Sequence, residues 1–209
     1  MSILARLSSQ VGDRSEHSNR EVVRECLDDP TLLVEIAVGL TDKNAALVGD
    51  CAEVLTQIAE QQPDWIVPYA KALPPLLHHK TTRIRWEAAH TLAFIAAPSP
   101  QTIEALLPTL AEIMRSDASI IVRDYTIDII GNYAGRGEAA AEEAYPLLRE
   151  ALTVWDGKHA GHALQGLSHV LSEMPALGDE IRTIAEAYLT SDRGVVRKAA
   201  RELLKQIEP

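Results

Sequence analysis

The side chains of this chain best suited to chemistry are imidazoles and carboxylates: seven His and 30 Asp plus Glu among 209 residues. Together they can hold a transition metal, and a His beside an acid can move protons near neutral pH. Glu87 and His90 form E-x-x-H, half of the pattern that di-iron carboxylate bundles use, in a single copy. His162 and His169 could join Asp124 or Asp128 as N/O ligands. His78 and His79 close a predicted helix, where a cationic imidazole meets the negative pole. No G-x-S-x-G, phosphate-cradling Gly-rich loop or H-E-x-x-H is present. Gly135-Arg136-Gly137 reads as a turn. Cys26 and Cys51 sit among apolar neighbours at helical spacing and read as small buried hydrophobes; two cysteines build neither a disulfide framework nor a cysteine metal site. The expectation is no catalytic residue, no metal and no cofactor.

The elements that carry these side chains need a core, and 46% apolar residues supply one; with 4% aromatics it must be mostly Leu, Ile, Val and Ala. The net charge of −10 argues against nucleic acid or a membrane surface, because phosphate binding needs a basic footprint. No signal-peptide pattern opens the sequence, and no window reaches the roughly 18 apolar residues of a membrane span. A soluble, acidic, cytoplasmic protein is expected.

Five segments of the chain align. They begin at Leu47, Ile84, Val122, Ala160 and Val196, spaced 37, 38, 38 and 36 residues apart. In each, the first, fifth, eighth or ninth and twelfth places are mostly apolar, which is one stripe of an α-helix. A second amphipathic stretch precedes each: Thr31–Leu40, Ile66–Leu77, Ile103–Met114, Ala141–Val154 and Glu180–Leu189. Short polar turns join the two helices of a pair, and Pro- or Gly-containing loops separate the pairs. No stretch alternates as a strand would. The reading is all-α: a helical cap over residues 1–30, with Asn19–Asp28 as its main helix, then five helix pairs at 31–63, 64–99, 100–137, 138–176 and 177–209, forming one continuous domain. The second helices should start near Asn44, Thr82, Ser119, Lys158 and Gly194.

This pattern resembles the HEAT-repeat family of compact bacterial and archaeal type. The residues that carry the resemblance are Ile84-Arg85, Val122-Arg123 and Val196-Arg197, the pairs Ala88-Ala89 and Ala199-Ala200, Pro108 and Pro146 inside first helices, and Asp42, Asp117, Asp156 and Asp192 before second helices. The W-x-x-L-G-x-x-Y pattern of the rival tetratricopeptide repeat is absent. The resemblance implies a right-handed α-solenoid whose second helices line a concave surface. It also implies a structural ladder in which Arg85, Arg123 and Arg197 pair with turn aspartates such as Asp42, Asp117 and Asp192.

On a helical wheel the third, seventh and tenth places of each second helix fall opposite the packed stripe. On that face Trp86, His90, Asp124, Asp128, His162 and His169 are the expected binding residues, an aromatic anchor flanked by charge. The function implied is a non-catalytic scaffold or adaptor for a protein or peptide with basic elements. The alternative is an enzyme on the same architecture, either a metal-dependent one using the inner-face His and Asp or one similar to the HEAT-like DNA glycosylases. The latter need a basic groove, and here only the last helix is basic. HEAT-like hydroxylases repeat His-Glu dipeptides, which this sequence lacks. HEAT-like phycobilin lyases have shorter repeats.

Overall fold

The computed structural model describes residues 2–207, all of them helix, turn or loop with no strand among them. The ends of the cap and of the fifth repeat, at residues 1, 208 and 209, lie outside the described residues. The chain divides into two compact units, residues 1–99 and 100–209.

The first unit opens with two short turns, Ile3–Arg6 and Ser8–Val11, the second ended by Gly12 in the left-handed region (φ 73°). The main cap helix α1 (His17–Asp28) follows, then α2 (Leu33–Gly39) and the second helices α3 (Ala45–Ala59) and α4 (Thr82–Ile95). Asn44 starts α3 by accepting the Ala46 N–H at 3.0 Å. The helix expected over Ile66–Leu77 is not there. A single α-turn, Pro63–Ile66, passes into two 3-10 segments, Val67–Ala72 and Pro74–His78. The reason is Pro68, Pro74 and Pro75: each lacks an N–H, and each ring collides with the preceding turn of an α-helix. Leu73, Leu76 and Leu77 are buried all the same. Periodicity placed the apolar face; proline decided the backbone.

In the second unit a short turn, Pro100–Glu104, precedes α5 (Leu107–Ser116), so the helix expected over Ile103–Met114 is divided ahead of Pro108. Next come α6 (Ile120–Ala134), α7 (Glu138–Ala151), α8 (Ala160–Glu173), α9 (Gly178–Ala187) and α10 (Gly194–Ile207). Pro146 lies within α7 without ending it. The five second helices start at Ala45, Thr82, Ile120, Ala160 and Gly194, within two residues of their expected positions. Leu92, Ile95, Ile129, Leu167 and Leu203, the expected stripe, are all at or below 1% exposure, and both cysteines are buried. Burial pushes the Cys51 thiol up to about 12, so it stays an inert hydrophobe.

Within each unit adjacent second helices meet flank to flank, α3 with α4, α6 with α8 and α8 with α10, and this overturns part of the wheel. Tenth-place Thr56, Ala93 and Gly131 and seventh-place Glu53 are buried, not presented on an open face. Gly131 of α6 and Gly166 of α8 meet backbone to backbone: a Cβ built on Gly131 would stand 2.8 Å from the Gly166 Cα. Side chains at that crossing would force the helices apart, and with them the polar groups on either side.

Candidate functional site

The expected site residues separate into two sets. Trp86 and His90 belong to the first unit; Asp124, Asp128, His162 and His169 are brought together in the second.

In the first unit α4 holds Trp86 half-buried, its Nε1–H donating to Oε1 of Glu87 at 2.8 Å, while the His90 ring lies 4.6 Å from that of Phe94. Glu87 is itself buried, and that burial pushes its carboxyl above the usual carboxylate range. Nearby, a polar network ties the cap to the second helices. Asn19 Nδ2 donates to Asp50 Oδ1 (3.2 Å) and Glu53 Oε2 (2.9 Å), and its Oδ1 accepts the Ser8 N–H (2.9 Å). The Ser9 N–H reaches Asp50 at 2.7 Å, and Arg83 bridges Asp50 and Glu53. Each of these oxygens is spent on the fold, so the network anchors the cap.

In the second unit α6 carries Asp124 and Asp128 one turn apart, facing α8. His162 Nδ1 lies 2.7 Å from Asp128 Oδ1 and its Nε2 3.5 Å from Asp124 Oδ1, so the ring stands between two carboxylates. These side chains are partly open to solvent, 24% for Asp124, 27% for Asp128 and 36% for His162. The hydrogen bond that His162 donates to Asp128 holds the His162 pKa above its ordinary value; burial opposes this, both aspartate charges add to it, and Arg193 subtracts. His169 Nδ1 donates to the Gly131 carbonyl at 2.7 Å. That bond exists because glycine at 131 and 166 lets the two helices approach.

Sequence reasoning missed His159. It is fully buried and accepts at Nε2 from Arg123 Nε–H (2.9 Å). Since arginine only donates, Nε2 bears no proton and Nδ1–H donates to Asp124 Oδ1 at 2.6 Å. Both ring nitrogens are occupied, so His159 orients Asp124 and leaves no atom for a substrate. The missed signal lay in the spacing: His159 follows Arg123 by 36 residues, one repeat.

Arg123 is also buried, its guanidinium 3.9 Å from the centre of the Trp155 ring. Trp155 donates from Nε1 to the Met114 carbonyl at 3.1 Å. The turn expected over residues 155–158 takes an unusual form. Trp155, Asp156 and Gly157 have φ of 53°, 56° and 69°, a left-handed run that only glycine adopts without cost. Asp156 therefore does not cap the following helix, whose N-cap position is His159. The ladder arginines reach backward to backbone carbonyls: Arg85 to His79, Arg123 to Asp117 and Arg197 to Ser191, six residues earlier in each case. The carboxylates of Asp42 and Asp117 cap their own turns at the N–H groups of Asn44 and Ser119, both at 2.7 Å. Asp192 is exposed beside Ser191.

His159 and His162 point at carboxylate oxygens and His169 at a backbone carbonyl, and among the described residues no three His, Cys, Asp or Glu side chains are placed to hold a metal. What the α6–α8 face can do is receive a cation. Asp124 and Asp128 each engage histidine through Oδ1, while Oδ2 of each accepts no hydrogen bond from a described residue.

No family model and no curated protein matches the sequence. Solved structures do. A designed armadillo repeat protein in complex with peptide (KR)4 is similar over 99% of this chain and 98% of its own, with TM-score 0.71 and 17% identity. Computationally designed armadillo repeat proteins for modular peptide recognition match over 97% of both chains at TM-score 0.70 and 16% identity. An engineered protein from a structural genomics programme covers 99% of this chain and 97% of its own at TM-score 0.70 and 19% identity. The chain is thus an all-α helical-repeat protein of the armadillo-like solenoid class. None of its described helices is long and apolar enough to cross a membrane.

Proposed function

We propose that this protein is a non-catalytic repeat scaffold, HEAT-like in its helix pairing and cytoplasmic, that binds a peptide or protein segment with basic side chains on the α6–α8 face. The observation that carries the reading is the Asp124–Asp128 pair, two half-buried carboxylates one turn apart, each bonded to histidine through Oδ1 and partly open to solvent. The chain's charge of −10 favours encounter with a cationic partner. One of its structural neighbours is seen with an alternating Lys-Arg peptide. Trp86 offers a half-buried aromatic on the first unit, where it would add an apolar contact of its own.

Fluorescence anisotropy with a labelled (Lys-Arg)4 peptide tests the reading. Asp128→Asn should weaken binding about three- to thirtyfold at low salt, the effect of losing one half-buried charge contact of about 0.7–2 kcal/mol. Wild-type affinity should fall as salt rises. An Asp128→Asn variant that binds as wild type does, with no salt dependence, would move the site elsewhere.

A further inference from the structure

We infer that binding of a cationic side chain at the Asp124–Asp128 pair is linked to loss of a proton from His162, so that the face takes basic partners above the titration of this histidine and releases them below it. The inference deepens the proposed function and rests on it. The geometry is that of two cations competing for one pair of acids. His162 stands between the carboxylates, 2.7 Å from Asp128 Oδ1 and 3.5 Å from Asp124 Oδ1, and is open enough to exchange protons with solvent. When charged, it donates from both nitrogens and neutralises the pair internally. When neutral, it keeps Nδ1–H on Asp128 and turns the Nε2 lone pair towards Asp124, an arrangement that gains from an external cation at the Oδ2 atoms. By linkage, whatever the peptide gains from the neutral form it takes from the charged one, so the bound pKa must lie below the free one.

The surroundings leave the switch to few groups. From α6 the charges facing His162 are Asp124 and Asp128. From the turn before α10 comes Arg193, which disfavours protonation and whose guanidinium is also tied to the Lys158 carbonyl. At the N-cap of α8, His159 shares Asp124 through Nδ1 and accepts from Arg123 at Nε2. The other neighbours of α8 make apolar contacts, Leu148 of α7 against Gly166, Val196 of α10 against Gly161 and Gly178 of α9 against Leu171, and α10 also sets the charged Lys198 and Glu202 beside Gln165 and Ser168. His169 is bonded to a carbonyl and not to an acid.

The test uses the full chain and an N-terminally blocked (Lys-Arg)4 peptide, whose remaining groups do not titrate between about pH 5.5 and pH 8. At constant ionic strength the wild-type affinity should fall about tenfold from the upper to the lower pH, the change given by a one-unit difference between free and bound pKa. His162→Gln, which keeps a donor for Asp128 but no titrating proton, should bind with little dependence on pH. In parallel, NMR of the imidazole nitrogens should show His162 titrating at lower pH in the complex than in the free protein, a readout that survives even if the variant folds poorly. Peptide binding that is independent of pH, or a His162 titration unmoved by the peptide, would overturn the inference while leaving the binding site standing. A wild-type protein that does not bind the peptide at any pH, with Asp128→Asn indistinguishable from it, would overturn the site assignment and this inference with it.

Discussion

Substituting alanine for Gly131 tests the helix crossing that brings the acids and histidines together. The new Cβ would stand 2.8 Å from the Gly166 Cα and 3.5 Å from its backbone N. Backbone cannot swing aside as a flexible side chain can, so α6 and α8 must separate. Overpacking of this kind costs about 1–3 kcal/mol, against about 0.5–1 kcal/mol gained by replacing a helical glycine. With the obstacle being main chain, the net loss should sit at about 1–2 kcal/mol. Gly161→Ala in the same unit is the internal control: its nearest neighbour, Val196 Cγ2, is 4.0 Å away, so the propensity gain is unopposed and the variant should be unchanged or slightly more stable. Urea unfolding followed by circular dichroism, with a common m-value, gives the difference directly. The Gly131 variant should also weaken the His169 bond to the Gly131 carbonyl, 2.7 Å in the intact protein, and so shift the His169 ring signals. If Gly131→Ala proved as stable as Gly161→Ala, the close crossing would be refuted, and with it the account of how the α6–α8 face is assembled.

Arg123→Ala should destabilise far more than Arg136→Ala, because Arg123 is buried with bonds to His159 and the Asp117 carbonyl whereas Arg136 is exposed in a loop; thermal unfolding of the two variants compares them. Leu167→Ala should cost about 2–5 kcal/mol by denaturant unfolding, since the side chain is completely enclosed. Asn19→Ala should loosen the cap by removing two bonds to buried carboxylates, at 3.2 Å and 2.9 Å, and the Ser8 N–H acceptor, read as faster amide exchange over residues 3–11. His162 has a raised pKa in the folded chain, so its contribution to stability is present below its unfolded pKa and is lost as pH rises through the folded value. That part of the pH dependence of unfolding should shrink in Asp128→Asn.

Much of the architecture is legible in the residues because it is written at short range. Apolar side chains at helical spacing define a buried stripe wherever the chain is helical, and the caps Asn44 and Ser119 mark where second helices begin, accepting the N–H groups of Ala46 and Val122. The start positions and the buried Leu92, Ile129 and Leu203 follow from such local terms. Local terms also misled: the apolar period over Ile66–Leu77 is real, yet Pro68, Pro74 and Pro75 convert it to 3-10 turns.

The site was legible only as a set of residue types. A wheel drawn for one helix shows which side chains share a face but not what the next repeat sets against them. His159 stood out by no local pattern and is buried between Arg123 and Asp124, its partners 36 and 35 positions away. Glu53 looked like an open inner-face acid and is enclosed by Asn19, Gln57 and Arg83. Trp86 looked like a bare anchor and has its indole on Glu87. The amino-acid sequence by itself determined the all-α pattern, the period and the stripe that packs, because helix propensity, capping and amphipathicity act within a few turns of chain. Tertiary structure alone decided which of two facing helices supplies the partner of each polar group, because that depends on the axial offset and closeness of neighbouring second helices. Here the pair Gly131 and Gly166 sets that closeness, through backbone contact that no single-helix pattern encodes.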